Sequence, residues 1–197
     1  MVALAQGGKR AFVASIGSGT VSVFDLASGS KLRDLATGAG AEGIATAPSG
    51  REVWVTNREA DTLSVIDVET LAVVATIPCP GFPIRIAFTP DGQRALVSAA
   101  RSGEVVAFDV AARRELARRK LDLSAVAEAR QRLFGDRFGE SPVPVGLLIT
   151  PDGKRAFVAA TQSDAVVEID PLTLEARGLC PAGHVPDGMA WSEPGQP

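Results

Sequence analysis

Short bursts of apolar residues, broken by turns, dominate the chain. One set, Phe12-Val13-Ala14-Ser15, Trp54-Val55-Thr56-Asn57, Leu96-Val97-Ser98-Ala99 and Phe157-Val158-Ala159-Ala160, is rich in β-branched and aromatic residues, a composition that favours strands. A second set ends on aspartate: Val21 to Asp25, Leu63 to Asp67, Val105 to Asp109 and Val166 to Asp170. A third, Gly43-Ile44-Ala45, Ile86-Ala87-Phe88 and Leu147-Leu148-Ile149, runs into Pro48-Ser49-Gly50, Pro90-Asp91-Gly92 and Pro151-Asp152-Gly153. Proline presets φ and glycine closes the turn, so these are hairpins. A fourth, more polar set such as Lys31 to Ala36 and Ala72 to Ile77 reads as outer edge strands.

The four sets recur with a fixed period. Turn glycines stand at Gly8, Gly50, Gly92, Gly153 and Gly195, and the aspartates at Asp25, Asp67, Asp109 and Asp170. Both series step by 42, 42 and 61 residues, and the glycines by 42 once more. The long step is one repeat with an insertion between Asp109 and Gly146. Four short strands per 42 residues predict an all-β fold, a β-propeller of four-stranded antiparallel blades. A lone twisted sheet has two apolar faces and hides them only by stacking on neighbours. The reading is a single domain over residues 1–197 with about four blades and one helical insertion, approximately 111–140, between blades three and four.

The phase at the ends suggests how such a ring locks. The chain starts at a second strand near Lys9 to Ser15 and finishes with Gly188-Met189-Ala190-Trp191-Ser192, which resembles an innermost strand. A C-terminal inner strand completing the first blade closes four blades. Two other arrangements stay open: a homodimer, through blade faces or exchange of the final strand, that forms an eight-bladed ring, or a piece of a longer propeller.

Composition narrows the functions. Of 197 residues 46% are hydrophobic, and 20 basic against 23 acidic residues leave a net charge of -3, which argues against a nucleic-acid partner. The longest apolar stretch, Leu71 to Ile77, is far below the roughly 18 residues of a membrane span. Met1 to Gly8 lacks the features of a secretory signal. Cys79 and Cys180 stand far apart without zinc or haem spacing and read as two buried free thiols, so no metal and no cofactor is expected. The insertion is locally basic, at +3 against -6 for the remainder. Val126, Ala129 and Leu133 behind Ser124 predict a short amphipathic helix over 124–134, with Arg118, Arg119, Lys120, Arg130 and Phe134 as candidates for docking an acidic partner.

The unit Trp54-Val55-Thr56-Asn57 with Thr62-Leu63-Ser64-Val65-Ile66-Asp67 resembles the YVTN-type propeller repeat, a bacterial and archaeal module. The resemblance covers nearly all of the chain outside the insertion, although tyrosine is absent and Glu168 replaces the Val23, Val65 and Ala107 of other units. It implies a periplasmic or cell-surface setting, with the cytoplasm as the alternative. By analogy with propellers, the loops at the channel mouth carry function, and the residues there are Arg58, Asp61, Arg85, Arg101, His184 and Asp187. With one histidine, no paired acids and no catalytic residue assigned, the leading function is non-catalytic: a binding or scaffold protein recognising a protein partner or small ligand at the mouth. The alternative is a lactonase-like hydrolase or an accessory subunit of a periplasmic quinoprotein oxidation system.

Overall fold

The computed structural model describes residues 1–121, 123 and 138–192. They fold into four antiparallel sheets of four strands each. The first holds β1 (Val2–Ala5), β2 (Arg10–Ser15), β3 (Thr20–Asp25) and β4 (Lys31–Ala36). The second holds β5 (Ala41–Thr46), β6 (Glu52–Asn57), β7 (Thr62–Asp67) and β8 (Ala72–Pro78). The third holds β9 (Pro83–Phe88), β10 (Arg94–Ala99), β11 (Glu104–Asp109) and β12 (Arg114–Lys120). The fourth holds β13 (Pro144–Ile149), β14 (Ala156–Ala160), β15 (Ala165–Ile169) and β16 (Ala176–Pro181). Spatial order follows chain order in every sheet, so each is a meander, and the sheets stack as propeller blades.

The repeated turn residues do repeated work. Asp25, Asp67, Asp109 and Asp170 each accept, through Oδ1, the backbone N–H three residues on, at 2.8, 2.7, 2.7 and 3.0 Å. That Asx turn directs the third strand of each blade into the fourth. Gly50, Gly92 and Gly153 sit at φ 69°, 69° and 70°, where a side chain would strain the hairpin.

Burial follows the stacking. Phe12, Val21, Val23 and Leu35 of the first blade pack on Ile44, Val53, Val55 and Ile66 of the second. Trp54, Leu63, Val65 and Ile77 on its other face meet Ile86, Ala95, Val97 and Phe108. Leu96, Val105 and Ala107 meet Ala156, Val158, Val167 and Ile169. Hydroxyls also cross the boundaries: Thr56 Oγ1 donates to the Ile84 carbonyl at 3.0 Å and Ser98 Oγ to the Val145 carbonyl at 2.9 Å. The inner strands approach so closely that a Cβ on Gly43 would lie 2.1 Å from the Ile84 oxygen.

Two expectations change. The inner place of the first blade is filled by β1, with Val2 opposite Val13, and residues 188–192 are not in a strand. The alternation Val2-Ala3-Leu4-Ala5 buries both alanines, and a strand this short does not stand out in sequence. Cys180 is exposed rather than buried, because β16 is the outer strand of a blade whose far face is uncovered. The helix expected over 124–134 lies outside the described residues. The connection from β12 to β13 runs over 121–143, against 79–82 between β8 and β9, so the extra length sits between the outermost strand of one blade and the innermost of the next.

Candidate functional site

The connections that lead from each blade into the next share an unusual backbone. Gly40, Phe82, Val143 and Val185 occupy equivalent repeat positions and all have positive φ, at 76°, 66°, 53° and 61°. Glycine tolerates this region, whereas a β-branched residue there is strained. Aspartates of the preceding blade hold two of these turns. Asp61 Oδ1 accepts the Gly81 and Phe82 N–H groups at 3.2 and 2.8 Å, and Asp164 Oδ1 accepts the Val185 N–H at 3.0 Å.

The result is a cavity of about 200 Å³ lined by the side chains of all three non-glycine members of the series. Ile84, Val145 and Phe138 complete its apolar wall. Phe82 and Phe138 meet edge to face, with centroids 5.3 Å apart. The Arg58 and Arg101 guanidinium carbons lie 5.3 and 4.9 Å from the Phe82 ring centre, within cation–π range.

The opposite wall is ionic. Glu42 on β5 accepts Arg58 Nη1 through Oε2 at 2.7 Å and Arg85 Nη1 through Oε1 at 3.1 Å. Arg85 Nη2 also reaches Asp187 Oδ1 at 3.2 Å. Glu42 and Arg85 are largely covered, while the Asp187 side chain is 55% exposed. Arg58 Nε is buried and finds no acceptor among the described residues. Its ion-pair partner is Glu59 Oε1, at 4.0 Å. An apolar wall facing two arginines that share one carboxylate suits a ligand with an apolar body and an anionic head.

The match to known proteins follows this architecture. The model of the YNCE-like beta-propeller family matches residues 4–128. The chain belongs to that family. YncE of Salmonella typhi and YncE of Salmonella typhimurium (strain LT2) are each 34% identical to it over 97 residues, 49% of this chain and 27% of theirs. The YNCE-like chain thus aligns with about a quarter of the length of these curated relatives. Kuenenia stuttgartiensis hydrazine synthase superposes with a TM-score of 0.76 at 18% identity, over 90% of this chain and 47% of that one. At that identity the likeness shows the fold alone.

Within this YNCE-like propeller, Arg58, Arg85 and Asp187 come together in the cavity. Asp61 pins the Phe82 turn and stands 3.7 Å from Arg101. His184 lies outside the lining, with Nδ1 2.8 Å from Asp164 Oδ2. The docking candidates separate. Arg118, Arg119 and Lys120 lie on β12, a strand of the third blade, and not in the insertion. Arg118 is bound within the chain, to Glu104 at 2.8 Å, Glu115 at 3.0 Å and the Pro80 carbonyl at 2.9 Å, and its pKa is raised, chiefly by Glu115. Arg119 stands 3.5 Å from Glu175. Lys120 lines a second depression with Arg101, Leu121 and Glu140. Arg130 and Phe134 lie outside the described residues.

Sequence reasoning missed Glu42 and the apolar wall. Glu42 precedes Ile84 by one repeat, and an acid where the next units carry Ile84 and Val145 was the available signal. Nothing in the residue types of Phe82 and Val143 encodes their backbone; only Gly40, in the same repeat position, hints at it.

Proposed function

We propose that this chain is a non-catalytic binding propeller whose channel mouth takes a small organic anion, or the acidic side chain of a protein partner. The apolar part rests on Phe82, Ile84 and Val145, and the head engages Arg85 and Arg58. One observation carries the reading: three non-glycine residues at equivalent positions are held left-handed, and all three line one cavity. The cavity is what distinguishes them, since Leu71, Arg113 and Leu174, also left-handed at equivalent positions, do not line it. Asp187 is the exposed partner that an incoming anion displaces from Arg85.

The hydrolase alternative gains no support from the geometry, since the sole imidazole lies outside the cavity lining. The setting that accompanies the binding reading is the periplasm or cell surface, supported by the YVTN-type repeat alone. Self-association through the uncovered outer faces of the first and fourth blades belongs to the same reading, because a blade hides an apolar face only against another blade.

The test is fluorescence titration with 8-anilinonaphthalene-1-sulfonate, an aromatic anion, against the full chain and against Arg85→Gln and Arg58→Gln. Saturable binding that weakens about tenfold in either variant, the loss of one charge-assisted bond, is expected. Binding that is the same in all three proteins refutes the site.

A further inference from the structure

Arg101 and Lys120 are cations that the repeat itself does not require. In the other blades Gly17, Glu59 and Gln162 stand in the position of Arg101, and Ala36, Pro78 and Pro181 in that of Lys120. Strand pairing fixes the second series, since Ala36, Pro78, Lys120 and Pro181 each face the first residue of their blade's third strand, Thr20, Thr62, Glu104 and Ala165. Neither cation is satisfied within the chain. Arg101 stands 3.7 Å from Asp61 Oδ2 and makes no side-chain hydrogen bond among the described residues, while Asp61 Oδ1 is committed to the Gly81 and Phe82 N–H groups. Lys120 is exposed and has no ion-pair partner among the described residues. Glu104, which it faces, is taken by Arg118.

Both side chains line one depression of about 400 Å³, set between the loop from β10 to β11 and residues 138–142. Two cations face a single acid in its lining, Glu140. Phe138 belongs to this wall and also to the wall of the cavity that holds Arg58 and Arg85, so the two hollows adjoin across its ring. Phe82 ties them together a second time. The Arg58 and Arg101 guanidinium carbons lie 5.3 and 4.9 Å from its centre, so their separation cannot exceed the sum of those distances. Between the two pairs of cations runs an apolar strip, the edge-to-face pair of Phe82 and Phe138. All of these residues come from the second and third blades and the connection that follows them.

We propose that the two hollows are halves of one site and that its ligand is a dianion, an apolar chain with an anionic group at each end. One group engages Arg58 and Arg85, the chain crosses the Phe82–Phe138 pair, and the second group engages Arg101 and Lys120. An α,ω-dicarboxylate of medium length is the simplest such molecule. The eight-carbon member, extended to about 8 Å between its carboxyl carbons, falls within the limit that the Phe82 ring sets. The proposal rests on reading the cavity as an anion site, and names the class of its ligand. It also predicts a sign. Against a purely apolar second hollow, exchanging the terminal methyl of a fatty acid for a carboxylate weakens binding, because the new charge loses its water without a partner. Against Arg101 and Lys120 the same exchange strengthens it.

The experiment is isothermal titration calorimetry of the full chain with octanedioate and with octanoate, at low ionic strength so that charge contacts are not screened. Octanedioate is expected to bind about tenfold more tightly, the gain from one charge-assisted contact. In Lys120→Gln and in Arg101→Gln, both substitutions of exposed side chains, that advantage disappears or reverses, and Lys120→Arg keeps it. Arg85→Gln weakens both acids alike and leaves their ratio unchanged. Octanedioate that does not bind, that binds no better than octanoate, or that keeps its advantage in both Lys120→Gln and Arg101→Gln overturns the proposal. The anion reading fails separately, when the sulfonate probe binds the parent, Arg58→Gln and Arg85→Gln equally.

Discussion

Replacing Gly43 by alanine tests the claim that close approach of inner strands holds the blades in order. The new Cβ would lie 2.1 Å from the Ile84 carbonyl oxygen, 2.8 Å from Thr56 Oγ1 and 3.0 Å from the Arg85 Cα. Two of these neighbours are backbone, so β5 and β9 must separate. Overpacking of this kind costs about 1–3 kcal/mol. Separation also stretches the Thr56 bond that bridges the boundary, to the Ile84 carbonyl at 3.0 Å, worth about 1 kcal/mol. The sum is roughly 2–4 kcal/mol, a large part of the 5–15 kcal/mol that holds a typical domain folded. Gly50→Ala is the control, with φ 69° and nothing within 4 Å of the added carbon, so it bears only the left-handed penalty of about 1–2 kcal/mol. Urea unfolding followed by the emission of Trp54, buried at the same boundary and edge-on to Phe88 at 5.7 Å, reports the difference. With a slope of about 2 kcal/mol per molar, Gly43→Ala lowers the midpoint by roughly 1–2 M, and Gly50→Ala by about half as much. Equal shifts for the two variants would refute the reasoning.

Thr56→Val keeps the shape of the side chain but leaves the buried Gly43 N–H without its acceptor, so stability falls by about 1–3 kcal/mol; a urea midpoint unchanged from the parent contradicts this. The turn carboxylates make stability fall in acid. Asp25, Asp67 and Asp170 are held below the ordinary 3.8, first by the backbone N–H groups of Ser28, Thr70 and Thr173. A lowered folded-state pKa contributes fully above the unfolded value and is lost as pH falls through the folded one. The urea midpoint therefore drops below about pH 4, and a flat profile down to about pH 2 counts against the role of these turns. Burial pushes the Cys79 thiol up to about 12, so it stays unreactive toward Ellman's reagent near neutral pH until urea unfolds the chain; labelling of Cys79 in the native protein would contradict its place in the core.

The fold was legible because each blade solves the same burial problem with the same residues. The aspartate series steps by one repeat because each blade needs the same Asx turn, and the proline–glycine hairpins recur because each inner strand must reverse into the next. What escaped was the phase at the ends. Val2–Ala5 is a strand only by virtue of the β2 edge beside it, and four residues carry too little alternation to announce that. The segment 188–192 has the pattern of an inner strand and none of the pairing, since pattern records which face a residue suits and not whether a partner edge is present. The boundary of the insertion slipped for a related reason: Arg114–Lys120 is so polar that it reads as loop, yet it pairs with β11 over its whole length, as an outermost strand can when its far side faces water.

The site was half legible, and the division follows the physics of each wall. Arg58, Arg85 and Asp187 could be found because charged residues in loops at a channel mouth are visible as residue types. Glu42 could not be found that way, because it lies on a strand and becomes important only where two arginines from different connections converge on it. The apolar wall is less legible still. Phe82, Val143 and Val185 take their meaning from a backbone conformation that their own side chains disfavour, held at Phe82 and Val185 by Asp61 and Asp164 some twenty residues earlier and at Val143 by the Ser141 hydroxyl. A residue type that prefers its conformation can be read locally, but one held against its preference is explained only by what holds it. The repeat makes the exception visible, since Gly40 in the second blade's connection shows what an unconstrained sequence would place there. Leu71, Arg113 and Leu174 depart from Gly29 in the same way at the turns between third and fourth strands, so left-handed backbone alone does not mark a site; what sets Phe82, Val143 and Val185 apart is that they share the wall of a single cavity.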